Sequence, residues 1–105
     1  MTDPSTWRVA EGRPCTHLGE VRDVKPRTPE GCEECLRIGS TWVHLRECLV
    51  CGHIGCCDSS PHQHASAHAH TTPGHDVARS AEPGESWAWC YADATLLLPP
   101  GASGA

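Results

Sequence analysis

Two Cys-x-x-Cys pairs dominate this chain. Cys32 and Cys35 form the first, Cys48 and Cys51 the second, and Cys56 follows closely, with His62, His64, His68, His70 and His75 beyond it. Thiolate and imidazole are the donors zinc prefers, and a structural zinc takes four of them in a tetrahedron. The two pairs, Cys56 and three of the histidines suffice for two such tetrahedra. The 105-residue chain has no Phe, one Tyr and four Trp, so its apolar mass is thin. Domains this small commonly lean on metals or disulfides for stability.

Eight Cys in a short chain also suit a disulfide framework, which belongs to oxidising compartments. The opening MTDPSTWRVAEGRP has no apolar stretch of the kind a signal peptide needs, and no segment is long enough to span a membrane. The expected compartment is therefore reducing and cytoplasmic, and the expected use of the Cys is metal binding. The formal net charge of −5, with the basic residues scattered, argues against a nucleic-acid partner. No membrane partner is expected either.

One domain is expected over residues 14–98, after a flexible polar lead-in at 1–13 and before a disordered tail at 99–105. The pattern predicts an α+β fold: a small twisted antiparallel sheet, zinc knuckles and one clear helix. That helix is expected at about 61–70, with Ser60 as N-cap, Pro61 in the first position and Gln63 closing a capping box. Strands are expected near 21–24, at 41–46, 77–79, 86–92 and 96–98, with a turn at 82–85. Alternation puts Trp42, His44 and Arg46 on one face, and likewise Trp87, Trp89 and Tyr91. His64 and His68 are four apart on one helix face. Spacing alone allows one metal to take both, and leaves His70 and His75 as rivals.

The stretch WVHLRECLVCGHIGCCDSS, followed by HASAH, His75 and GESWAWCY, resembles the ubiquitin-protease-type zinc finger. That family occurs in ubiquitin-specific proteases, a histone deacetylase, ubiquitin ligases and small free-standing bacterial proteins. The resemblance runs from about Cys15 to Asp93. It implies three zincs with interleaved ligands. One takes Cys32, Cys35, Cys56 and His64, and a second takes Cys48, Cys51, His68 and His75. The third takes Cys15, His17, Cys90 and Asp93, where Asp93 replaces a Cys of the family. A carboxylate oxygen is a legitimate zinc ligand, though a harder one than thiolate.

Catalysis is not expected. A catalytic zinc keeps an open position beside a general base, and His64-Ala-Ser-Ala-His68 lacks the Glu of the metalloprotease motif. Many members of the family capture the C-terminal Gly-Gly tail of ubiquitin. The resemblance carries that pocket's aromatic positions to Trp89 and Tyr91, and a further Trp position to Trp42. However, Asp58 stands where the ubiquitin binders carry Arg, and a carboxylate repels a terminal carboxylate. Asp58 is expected instead to cap the helix or to order a ligand His. The expected function is a zinc-binding interaction module presenting Trp42, Trp87, Trp89 and Tyr91 to a protein or peptide, with a C-terminal tail among the candidates. The alternative is a zinc- or redox-responsive protein that uses Cys57 or the Asp93 site. For Cys57 the competing reading is a small buried residue.

Overall fold

The computed structural model describes residues 7–9 and 15–99. Strands β1 (Arg8–Val9), β2 (Leu45–Cys48), β3 (Ile54–Cys56), β4 (Val77–Ser80), β5 (Ala88–Cys90) and β6 (Thr95–Leu98) make one antiparallel sheet in the order β1-β6-β5-β4-β2-β3. The two-residue β1 sits on the edge of the other five. Two helices join them: α1 (Glu33–Ile38) and α2 (His64–Thr71). The α+β fold with an antiparallel sheet and one longer helix is thus as expected. Residues 100–105 of the expected tail, and 1–6 and 10–14 of the expected lead-in, lie outside the described residues.

The first knuckle runs on into helix. The sulfur of Cys32 accepts the Cys35 N–H at 3.4 Å and so caps α1. Glu33 and Glu34 follow in the first turn, where the helix dipole favours acids. The second knuckle depends on Gly52 (φ 82°), where a Cβ would lie 2.1 Å from the Lys25 carbonyl oxygen. Gly55 on β3 allows α2 to press down on the sheet, since a Cβ there would come within 2.5 Å of the Ala65 backbone nitrogen.

The strand expected at 86–92 pairs only over Ala88–Cys90, and at three further places the sequence expectation fails where a backbone group has another partner. Helix α2 begins at His64, not Pro61. Ser60 is no N-cap: its buried hydroxyl accepts the Val43 N–H at 2.8 Å. Gln63 takes left-handed angles, and the His64 N–H goes to the sulfur of Cys56 at 3.2 Å. Asp58 does not cap the helix; it is exposed, and its backbone carbonyl accepts from Gln63. The strand expected at 41–46 pairs only from Leu45, because Val43 is already committed to Ser60. Near 21–24 there is no ladder, although Arg22 donates to the Leu49 carbonyl at 2.7 Å. Trp7, inside the expected lead-in, is buried in the core.

That core comprises Trp7, Val21, Leu49, Val77, Ala88, Cys90 and Leu97, with Val9, Cys15 and Leu18 against it. A second buried group consists of Cys32, Cys35 and Cys56 under Trp42 and Leu45.

Candidate metal centres

The twelve expected ligands gather into three groups of four, each with its donor atoms within 4.8 Å of one another. Zinc bonds of about 2.3 Å to sulfur and 2.0–2.1 Å to nitrogen put tetrahedral S and N corners about 3.5 Å apart, and S corners about 3.8 Å apart. In the first group His64 Nδ1 lies 3.3, 3.4 and 3.5 Å from the sulfurs of Cys32, Cys35 and Cys56. Cys35 and Cys56 are 3.9 Å apart. The residues present fit a tetrahedral zinc.

In the second group Cys48 Sγ lies 3.5 Å from His75 Nδ1, and Cys51 Sγ lies 3.5 Å from His68 Nε2. The helical pair His64 and His68 is therefore split between two groups. His70 is exposed and turns its ring edge to Tyr91, while His62 stacks on His64. A second layer supports this site. Buried His53 stacks flat on His68 with ring centroids 4.1 Å apart, and its Nε2 lies 2.8 Å from both oxygens of Glu34. Burial raises the Glu34 carboxyl, but the His53 bond and charge outweigh it and hold the group below the usual range. No spacing rule marks His53 in the sequence; its role appears only when β3 and α2 pack together.

The third group is built differently. Cys90 Sγ lies 3.6 Å from His17 Nδ1 and 3.8 Å from Asp93 Oδ2. Asp93 Oδ2 and His17 Nδ1 are only 2.9 Å apart, a hydrogen-bond distance, where tetrahedral corners would lie about 3.4 Å apart. The same oxygen accepts the Thr16 N–H at 2.8 Å and the Thr16 hydroxyl at 3.1 Å. The donor chemistry suits zinc, and a small opening of the His17–Asp93 contact would admit it.

Each group carries an N–H···S bond: Cys35 to Cys32, Val50 to Cys48, His64 to Cys56 and His17 to Cys15. Such bonds stabilise thiolate charge. Without metal, burial pushes the thiols of Cys35 and Cys90 up to about 12 and that of Cys48 to about 11. Burial, with His53 and His75 beside it, lowers His68 to about 4, so its ring is neutral and ready to ligate at pH 7. All eight cysteines are free thiols.

A separate cavity of about 270 Å³ opens beside the sheet, lined by His44, Arg46, Cys57, Asp58, Ser59, Trp87, Trp89 and Tyr91. The Arg46 guanidinium lies over the Trp87 ring, 4.5 Å from its centroid. Three of the four expected partner-binding aromatics meet here. Trp42 does not; it packs on the first cysteine group and over Gly31. Burial raises the Cys57 thiol, but bonds from Ser60, Ser59 and His44 and the Arg46 charge outweigh it, leaving the thiol below its ordinary value.

Residues 32–100 match the family model described as Zn-finger in ubiquitin-hydrolases and other protein. The match begins at Cys32, so Cys15 and His17 of the third group precede it. The solution NMR structure of protein RPA1320 from Rhodopseudomonas palustris is similar over 84% of this chain and 84% of its own. Its sequence is 50% identical, with a TM-score of 0.73. No curated protein is similar enough to match.

Proposed function

The chain belongs to the family of zinc fingers found in ubiquitin hydrolases and other proteins, and from that premise we propose that it is a non-catalytic, zinc-held interaction module. On this reading three zincs occupy the three groups of ligands, and a protein or peptide segment enters the cavity walled by Trp87, Trp89 and Tyr91. The observation that carries it is that cavity: three aromatic rings and one guanidinium converge on about 270 Å³, outside the metal groups. Aromatic rings give much contact area at small entropic cost, which is why they anchor interfaces. Among the described residues no helix is long and apolar enough to cross a membrane, and a cytoplasmic setting, where thiols stay reduced, is part of the proposal.

The family's usual capture of the ubiquitin tail is not the mode we propose. Asp58 lines the cavity, and by the resemblance it takes the position that is Arg in the family's ubiquitin binders. Arg46 is a cation of the same cavity, but it is engaged with Trp87 and the Leu45 carbonyl. Titration of the zinc-loaded protein with a peptide ending in a free Gly-Gly should give no saturable micromolar binding beyond that of its C-terminal amide. Peptides selected on the protein from a displayed library should lose at least tenfold in affinity with Trp89→Ala and little with Trp42→Ala. Carboxylate-dependent binding of the Gly-Gly peptide would overturn the first statement, and selected peptides indifferent to Trp89 the second.

A redox-responsive reading is favoured by one observation, the position of Cys57 on the cavity wall with a lowered thiol. Unchanged metal content and peptide binding after mild oxidation, in the parent and in Cys57→Ser alike, would exclude it.

A further inference from the structure

His17 offers its two ring nitrogens to different neighbours. Nδ1 faces Asp93 and Cys90. Nε2 faces the Asp76 carboxylate, 4.0 Å away. Glu20 reaches the same place from the 3-10 turn Leu18–Glu20 that follows His17 directly, and its Oε1 accepts the Asp76 N–H at 3.0 Å. One donor atom each from His17, Glu20 and Asp76 lies within 4.8 Å of the others. None of these three side chains is fully exposed.

Two carboxylates so close repel each other, the more so when partly withdrawn from water. Lys or Arg would normally offset this. Among the described residues neither carboxylate has such a partner; the ion pairs join Arg27 and Arg37 to Glu33 and histidines to the other acids, and Asp76 has only His17. An imidazole nitrogen beside two carboxylates that have no Lys or Arg partner among the described residues is a donor set for a divalent cation.

We propose that His17 Nε2, Glu20 and Asp76 form a fourth cation site, for a divalent first-row ion such as zinc, and that it shares the His17 ring with the group of Cys15, Cys90 and Asp93. It lies apart from the peptide cavity and does not depend on that reading. Two oxygens and one nitrogen make it the hardest donor set of the four, with water filling its remaining positions. When both sites on the ring are filled, the last ring proton leaves to solvent and the two dications offset the imidazolate charge. This ion is therefore the weakest held and the first lost to a chelator.

Native mass spectrometry of the whole chain at rising zinc concentration tests this. The parent should take a fourth zinc after the first three, while Glu20→Gln and Asp76→Asn should each keep three and weaken the fourth more than tenfold. In the cobalt form the fourth ion should add no thiolate-to-metal charge-transfer absorption, whereas the third should add it through Cys15 and Cys90. Saturation of the parent at three ions or fewer would overturn the proposal. So would a fourth ion indifferent to both substitutions, or an Asp76→Asn effect confined to the thiolate-bearing third ion, which would make Asp76 only an orienter of the His17 ring.

Discussion

Around α2 and β3 the buried residues are mostly cysteines and alanines, with His53 and Ile54, whereas around β5 and β6 they are Trp7, Val21, Leu49, Val77 and Leu97. The first region has less apolar mass, chiefly Ile54 with Trp42 and Leu45 over the cysteines, and its pieces meet at sulfur and nitrogen. α2 supplies His64 to one group and His68 to another, and α1 supplies Cys35 to the first and Glu34 to the support of the second. The second region has a real hydrophobic core, and the third group sits beside it with Asp93 already satisfied by Thr16 and His17. On the proposed reading one region thus depends on metal to close, while the other has packing and hydrogen bonds to close it without one.

The largest test of this difference is removal of zinc. Structural zinc contributes roughly 10–16 kcal/mol in small finger peptides, far more than the few apolar side chains near α2 supply. A strong chelator should therefore melt α2 and both knuckles, and Cys56→Ser the first knuckle and the start of α2, seen as loss of amide-exchange protection there, while β4 to β6 keep partial protection. Uniform collapse of both regions at one chelator concentration would break the comparison. Leu97→Ala is the reverse experiment. Leu97 is fully buried in the apolar core, and a Leu-to-Ala cavity costs about 2–5 kcal/mol. Its melting temperature should fall, with zinc in the first two groups unchanged by mass spectrometry.

Glu34→Gln probes the support of His68 within the metal-dependent region. Removing a group bonded directly to a ligand His typically costs about 10–100-fold in metal affinity, and Glu34 stands one step further out, bonded to His53, which stacks on His68. The second group should weaken by no more than about tenfold, and the first, flanked by the same α1 turn, by less. Competition with a zinc indicator measures both, and equal losses in the two groups would show that Glu34 acts only by holding α1.

The metal-dependent region was the more legible in the sequence. Cys-x-x-Cys pairs and a following His run are dense local signals, and the resemblance supplied the interleaving that spacing left open. What escaped there was relational. Ser60-Pro-His-Gln63 reads as a helix start, yet the sulfur of Cys56 takes the His64 N–H and moves the start to the ligand. The pairing of His53, just before β3, with Glu34 of α1 has no sequence spacing to reveal it. In the packed region strands were expected at all of β4 to β6, with alternation marking β5, but Trp7 looked like part of a polar lead-in because a two-residue edge strand has no period to detect. Trp42 matched a family position, but its neighbours make it packing over Gly31 and the first thiols.

The finest contrast is between Asp93 and the cysteine it replaces, and pH separates them. Burial raises the metal-free thiols of Cys35, Cys48 and Cys90, so protons compete with zinc in all three groups and affinity falls as pH falls. The backbone N–H of Thr16, more than any other neighbour, holds Asp93 below its ordinary value. A carboxyl with a depressed folded pKa contributes above its unfolded value and loses that contribution only as pH drops through the folded one. Asp93 thus remains a carboxylate throughout the range in which the thiols take up protons. Asp93 brings no proton for zinc to displace from the third group, whereas Asp93→Cys puts one more thiol there. The pH slope of third-zinc affinity should steepen by about one proton, with tighter binding at high pH and little change in the first two groups. If Asp93→Cys instead loses the third zinc at every pH, the Thr16 bonds rather than the ligand's hardness hold that group together, and the packed region would differ from its neighbour even more than the distances indicate.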